Sequence, residues 1–438
     1  MRRPIRIVLA VAALGAAGLR AAPAPEGAVL VVGDGISVEL LTAARIYKHG
    51  AQGRLDLERL PYTAFVRTWS ANSMVTDSSS AATALARGIK AVNGRVGIPE
   101  AGAPGPASLL DIARARGWST GVVTDDSVTG GTPASFFVED DARKAYPRIA
   151  SKTVPQLGPR LDLLLGGGRA YFRESNDPAV LPADADLLRA TASALAARQA
   201  DGTLRVYTEW EAFASRKRGA ADAAPVLGLF ADDTFSYVAD GPRTPALLDL
   251  VQEAIAELRA KGRPFLLIVE AGLADKAAHM NEGMRALNEV LEMDAVIGWL
   301  DQHLPPGVTL LATTDHGTGG AAINGYLPLR ASGNTLFLAN PSNGLPILSW
   351  ATGPGGAKEG EPAPTRARKP EELQPGSRQA GAAYTGSAMH TGGDVWLIGR
   401  GPGSEQVRGF LDNTDVFRIL KSAIESGAPA APPARGER

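Results

Sequence analysis

Three of the five histidines in this 438-residue chain stand beside acids at spacings that could chelate a cation. In Glu270-Ala-Gly-Leu-Ala-Asp275-Lys-Ala-Ala-His279 the last acid and the histidine are four apart, which on a helix puts both on one face. Asp315 and His316 are adjacent, and His390 lies in Met389-His390-Thr391-Gly392-Gly393. A lone histidine is more often structural than a ligand, but three with acidic company favour a hard-to-borderline cation such as zinc. The chain has no Cys, so thiolate ligands, disulfides and cysteine nucleophiles are excluded together. His49 and His303 fall outside such contexts and are expected at the surface or in the core.

The nucleophile candidate is Ser78, in Thr76-Asp77-Ser78-Ser79-Ser80-Ala81-Ala82 and on to Arg87-Gly88. Asp77 reads as the cap of a helix that starts near Ser78 and that Gly88 ends. Free N–H groups and the helix dipole would there favour negative charge, as on an alkoxide or a phosphate. Taken alone, the segment is better accounted for as a plain serine-rich cap. No Gly-x-Ser-x-Gly elbow is present, so a metal is a better candidate activator than a His-Asp pair.

These residues need a frame that brings them together. Ala28 to Val32, Ser119 to Val123, Leu161 to Leu165, Phe265 to Val269, Val308 to Ala312 and Val395 to Ile398 are short apolar runs bounded by Gly, Asp or Pro, which suits strands buried on both faces. Helical patterns lie between them. One runs from Thr244, as cap, to Lys261, and another from Gly283 to Leu304. Strand-helix alternation over some 400 residues implies an α/β fold: a large, mostly parallel sheet with helices on both faces. Asp34 follows the first run, Thr132 the second, Glu270 the fourth and Asp315-His316 the fifth. Parallel strands end on one edge, so these polar groups are expected to converge there.

Composition bounds the rest. The 45 Lys+Arg against 46 Asp+Glu leave a net charge of -1, with no general attraction for nucleic acid or an anionic membrane. With 45% hydrophobic residues the chain can bury a large core. Residues 1–24, basic and then apolar up to Ala21-Ala22-Pro23-Ala24, read as a bacterial-type signal peptide, implying a periplasmic or secreted protein without a membrane span after cleavage. One catalytic domain is expected over 25–426, with an exposed Gly, Pro and charge-rich insertion at 353–379 and a disordered Ala-Pro tail at 427–438.

From Val31 to about Leu420 the chain resembles the alkaline phosphatases. The resemblance rests on Gly33-Asp34-Gly35, Thr76-Asp77-Ser78, Gly131-Thr132-Pro133-Ala134, Leu165-Gly166-Gly167-Gly168, Val269-Glu270 through His279, Thr314-Asp315-His316 and His390-Thr391-Gly392, in that order. It implies a metal-dependent hydrolase of phosphate monoesters, commonly a homodimer, with Ser78 phosphorylated during turnover. Asp275, His279 and His390 would bind one zinc; Asp34, Asp315 and His316 a second that also contacts Ser78; Asp34, Thr132 and Glu270 a magnesium. Arg143 would clamp phosphate through two oxygens, and Lys276 could reach it through water. Two zinc ions and one magnesium against the carboxylates of Asp34, Glu270, Asp275 and Asp315 would leave a positive surplus that welcomes a phosphate dianion. The chain departs from the family pattern at Gly130, where an Asp or His often stands near the magnesium. A phosphodiesterase of the same superfamily and an exported metal or phosphate binder are the alternatives. A sulfatase fits poorly, because Ser78-Ser79-Ser80-Ala81-Ala82 lacks the Pro and Arg of that motif.

Overall fold

The computed structural model describes residues 26–426, apart from 176, 178–180, 217–223, 328, 330, 339, 341–343, 359–360 and 362–372. The expected signal segment 1–24 and tail 427–438 lie outside the described residues, as does most of the middle of the expected insertion.

In chain order the described strands are β1 (Gly27–Gly33), β2 (Tyr62–Arg67), β3 (Ser119–Ser127), β4 (Leu163–Gly167), β5 (Arg205–Tyr207), β6 (Val226–Leu229), β7 (Phe265–Ala271), β8 (Val308–Thr314), β9 (Gly317–Thr318), β10 (Ala322–Ile323), β11 (Leu348–Gly353), β12 (Gly381–Tyr384), β13 (His390–Thr391), β14 (Val395–Arg400) and β15 (Arg408–Asp412). Ten of them make one sheet in the order β15-β2-β14-β8-β1-β7-β3-β4-β6-β5. Within it β14 alone runs against its neighbours β2 and β8; every other pairing is parallel. The large, mostly parallel sheet expected from the sequence is therefore present. β10, β11 and β12 form a small separate sheet, and β9 pairs with β13.

All seven residues of β1 are buried, as are those of β7 and β8, because helices cover both faces. Val29, Val31, Leu267, Val269, Leu310 and Ala312 point to one side, toward helices Val38–His49, Leu247–Ala260 and Gly283–His303. Ala28, Leu30, Leu266, Ile268 and Leu311 point to the other, toward helices Ser78–Arg87, Leu109–Ala115 and Asn413–Ser426. The period of two thus assigns alternate residues of each strand to two separate cores.

Some bounds differ from the sequence expectation. The helix expected from Thr244 starts at Leu247, because the Asp249 carboxylate, not Thr244, takes up a free N–H, that of Ala246 at 2.9 Å. The strand expected over 161–165 is Leu163–Gly167. β3 runs four residues past Val123 and carries an irregularity in its pairing with β4 there, while Glu270 lies inside β7 and not beyond it. At the ends of the 353–379 segment, Gly355 N–H donates to Asn281 Oδ1 at 2.9 Å and the buried Gln379 accepts from Gly283 N–H at 2.5 Å. Among the described residues no helix is long and apolar enough to cross a membrane.

Candidate active site

Along the edge where β8, β1, β7 and β3 end, the chain delivers Asp315 and His316, then Asp34, then Glu270, then Thr132. His390 arrives by a different route. Since β14 is reversed, the loop before it, not after it, lies on this edge, and the β13–β9 pairing fixes His390 opposite Thr318. Helix Leu273–His279 leaves β7 directly and presents Asp275 and His279 on one face, with His279 Nε2 3.2 Å from Asp275 Oδ2. Helix Ser78–Arg87 begins with Asp77 as cap, its side chain accepting from Ser80 N–H at 2.9 Å, and ends at Gly88 with φ 68°. Both ends match the sequence reading.

Ser78 is 3% exposed, and its Oγ lies 3.1 Å from His316 Nε2. Arg143 reaches the same oxygen with one guanidinium nitrogen at 3.5 Å, while another is held by Asp77 at 3.1 Å. The helix cap therefore also anchors the arginine. Sequence reasoning assigned Asp77 the first task and missed the second, because the partner is 66 positions further along the chain.

The histidines are arranged for a cation. His279 Nδ1 bonds the Ala388 carbonyl at 2.6 Å and His390 Nδ1 bonds that of Thr76 at 3.1 Å. A carbonyl only accepts, so each Nδ1 carries a proton and each Nε2 is turned into the cluster. The two Nε2 atoms face each other at 3.2 Å. Two lone pairs repel at that distance unless a positive centre lies between them. Single ligand atoms of Asp275, His316 and His390 fall within 4.8 Å of one another, and so do those of Asp34, Asp315 and His316.

The acids are equally unfinished without positive charge. Asp34 Oδ1 and Asp315 Oδ2 are buried without a hydrogen-bond partner. Burial, then the charges of Asp315, Asp275 and Glu270, pushes the Asp34 carboxyl well above its ordinary range. Burial and the Asp275 charge raise Asp315 to about 7. Burial and the neighbouring charge of Asp126 raise Glu270. Burial and His390 push His316 well below the ordinary imidazole value, keeping it neutral and able to ligate. Such costs are offset when divalent cations share the carboxylates. The donor set, oxygen and imidazole without sulfur, fits zinc and magnesium.

The third group is looser. Thr132 Oγ1 is 3.5 Å from Asp34 Oδ2, and Glu270 Oε2 accepts a short bond from the Thr124 hydroxyl. Lys276 sits at the rim with its ammonium 3.1 Å from Asp126 Oδ2. Thr124, Asp126 and Thr318, whose hydroxyl donates to Asp275 Oδ1, were not singled out from the sequence. The period of two along β3 could have found the first pair. His49 and His303 are exposed, away from the cluster.

The sequence pattern that defines the family "Alkaline phosphatase" matches residues 27–426. Alkaline phosphatase 4 of Bacillus subtilis is 29% identical to the chain, over 90% of it and 88% of that relative. The crystal structure of the alkaline phosphatase of Thermus thermophilus superposes with a TM-score of 0.67 at 27% identity, covering 92% of each chain. A variant of the alkaline phosphatase of the Antarctic bacterium TAB5, solved with magnesium bound, superposes at 0.68 with 21% identity, over 92% of this chain and 99% of that one. A match over most of the chain, the same fold and the gathered ligand groups agree: the chain belongs to the alkaline phosphatase family and is a metal-binding hydrolase of that family.

Proposed function

We propose that the enzyme hydrolyses phosphate monoesters through a phosphoserine at Ser78, releasing inorganic phosphate and an alcohol. The observation that carries this reading is the placement of Ser78 Oγ. It is buried at a helix N-terminus, 3.1 Å from His316 Nε2 and within reach of Arg143. In this reading Asp275, His279 and His390 hold one zinc, Asp34, Asp315 and His316 a second, and Asp34, Thr132 and Glu270 a magnesium. When bound, these cations supply Lewis acidity that favours a serine alkoxide and an oxyanion leaving group.

The chain's own groups do the remaining work. Arg143 takes two phosphate oxygens with a guanidinium that Asp77 keeps from swinging away. The first free N–H groups of helix Ser78–Arg87 add fixed positive potential at the same point. Ser78 Oγ gives its proton to solvent and attacks phosphorus; the bond to the alcohol oxygen breaks and that oxygen takes a proton from water. Hydroxide from solvent then attacks the phosphoserine, the phosphorus–Oγ bond breaks, and Ser78 Oγ takes a proton from water. Each attacking oxygen must be deprotonated, so activity rises toward alkaline pH.

An aryl phosphate and a bis-aryl phosphate, assayed with wild type, with Ser78→Ala and with chelator, test the proposal. Hydrolysis of the monoester alone, lost in the variant and on chelation, is the expected result. Preference for the diester would make the enzyme a phosphodiesterase, and phosphate binding without turnover would make it a binder. Export with removal of residues 1–24 belongs to the same proposal, and the first residue of the mature protein checks it.

A further inference from the structure

The third cation position is the least furnished. Residue 130, two before Thr132, is a glycine, and the nearest atoms to a Cβ placed there are the Ser127 carbonyl and the Pro133 ring. It offers no donor. Glu270 of β7 pairs in register with Thr124 of β3, the last such pair, and just beyond it the irregular end of β3 brings Asp126 against Gly272. A Cβ at 272 would come within 2.9 Å of Asp126 Cβ, and it would lie 3.4 Å from both Asp126 Oδ2 and the Glu270 carboxyl carbon. Glycine at 272 is thus what lets Asp126 stand over Glu270.

Asp126 is also held firmly. Its N–H donates to Thr124 Oγ1 at 2.8 Å, the same hydroxyl that donates to Glu270, and its Oδ1 accepts from Ser127 N–H at 2.6 Å. Only Oδ2 remains, and it meets the Lys276 ammonium at 3.1 Å. A lysine on a flexible stem, 41% exposed, is a counter-ion that can leave. Of the Asp34 carboxylate, Oδ2 faces Thr132 at 3.5 Å, while the partnerless Oδ1 lies 3.7 Å from His316 Nε2, on the side of the second group.

We propose that Asp126 is an outer carboxylate of the third cation position, adding Oδ2 to the oxygens of Asp34, Thr132 and Glu270, and that Lys276 is the built-in cation that competes for it. The inference rests on the metal assignment above. Magnesium is commonly held by one or two carboxylates while it keeps several waters, so an outer carboxylate suits it. The two partners of the 3.1 Å pair then act with opposite sign. Removing the acid weakens magnesium binding; removing the ammonium strengthens it. A salt bridge that merely supports the fold would not separate them in this way.

The test measures magnesium affinity by equilibrium dialysis with metal analysis on the zinc-loaded enzyme, for wild type, Asp126→Asn, Asp126→Glu and Lys276→Met. Expected is about 10-fold or greater weakening for Asp126→Asn, recovery in Asp126→Glu, tighter binding in Lys276→Met, and unchanged zinc content in all. Equal shifts of the same sign in Asp126→Asn and Lys276→Met, or no shift in either, overturn the inference. A wild type that takes up no zinc overturns the metal assignment beneath it, a result read separately from the magnesium data.

Discussion

Ser78 and Arg143 are separable by kinetics. Ser78→Ala removes the attacking atom but leaves the cluster of acids and imidazoles, so kcat is expected to fall by at least about 10³-fold while phosphate still binds. Arg143→Ala removes a charged clamp of two hydrogen bonds that contribute about 1.5–3 kcal/mol each, so kcat/KM drops by about two to four orders of magnitude and KM for the monoester rises. Steady-state kinetics on one aryl phosphate distinguishes the two patterns. The clustered acids and imidazoles were legible in the sequence because histidines are few and have acids nearby in a chain without Cys. What was not legible is the supporting layer. Thr124, Asp126 and Thr318 are ordinary residues until the register of β3 against β7 and of β9 against β13 is known.

At the scale of elements, helix Ser78–Arg87 depends on Asp77 twice. Asp77→Ala is expected to cost about 1 kcal/mol through the lost cap, and also to raise KM, since Arg143 loses its partner at 3.1 Å. Chemical denaturation and kinetics on the same sample measure both. Further along, Asp140, itself out of solvent, ties helix Tyr146–Thr153 to the loop carrying Arg143. Burial acts to raise its carboxyl, but hydrogen bonds from Arg148 and Lys152 prevail and hold it at about 2. The folded value is below the unfolded one, so this contribution is whole above pH about 4 and disappears as pH falls through about 2. Asp140→Asn should therefore melt lower than wild type near pH 7, with the gap closing toward pH 2. The strands with unbroken apolar runs were readable. β2 and β15, with several exposed residues at one end of the sheet, and the three-residue β5 at the other lack such a run, and the buried β6 offers only the four residues Val226-Leu227-Gly228-Leu229.

On the scale of the molecule, the two cores share one sheet, so a cavity in either weakens both. Leu30→Ala, at a fully buried position of β1, is expected to cost about 2–5 kcal/mol, measured by denaturant unfolding. Stripping the cations leaves Asp34, Asp315, Glu270 and the facing imidazoles uncompensated. Chelation is therefore expected to lower Tm as well as abolish turnover, with both restored by added zinc and magnesium.

The reversal of β14 has a consequence for how the enzyme comes into being. Ser78, Asp34, Thr132, Glu270, Asp275 and Asp315 are all synthesised before the segment that carries His390, yet that segment is seated only once β14 has closed beside β8. A growing polypeptide therefore holds Ser78 beside an incomplete cluster of acids and imidazoles until its last fifty or so residues emerge. On the assignment proposed above, hydrolysis is expected to begin only when synthesis is all but finished.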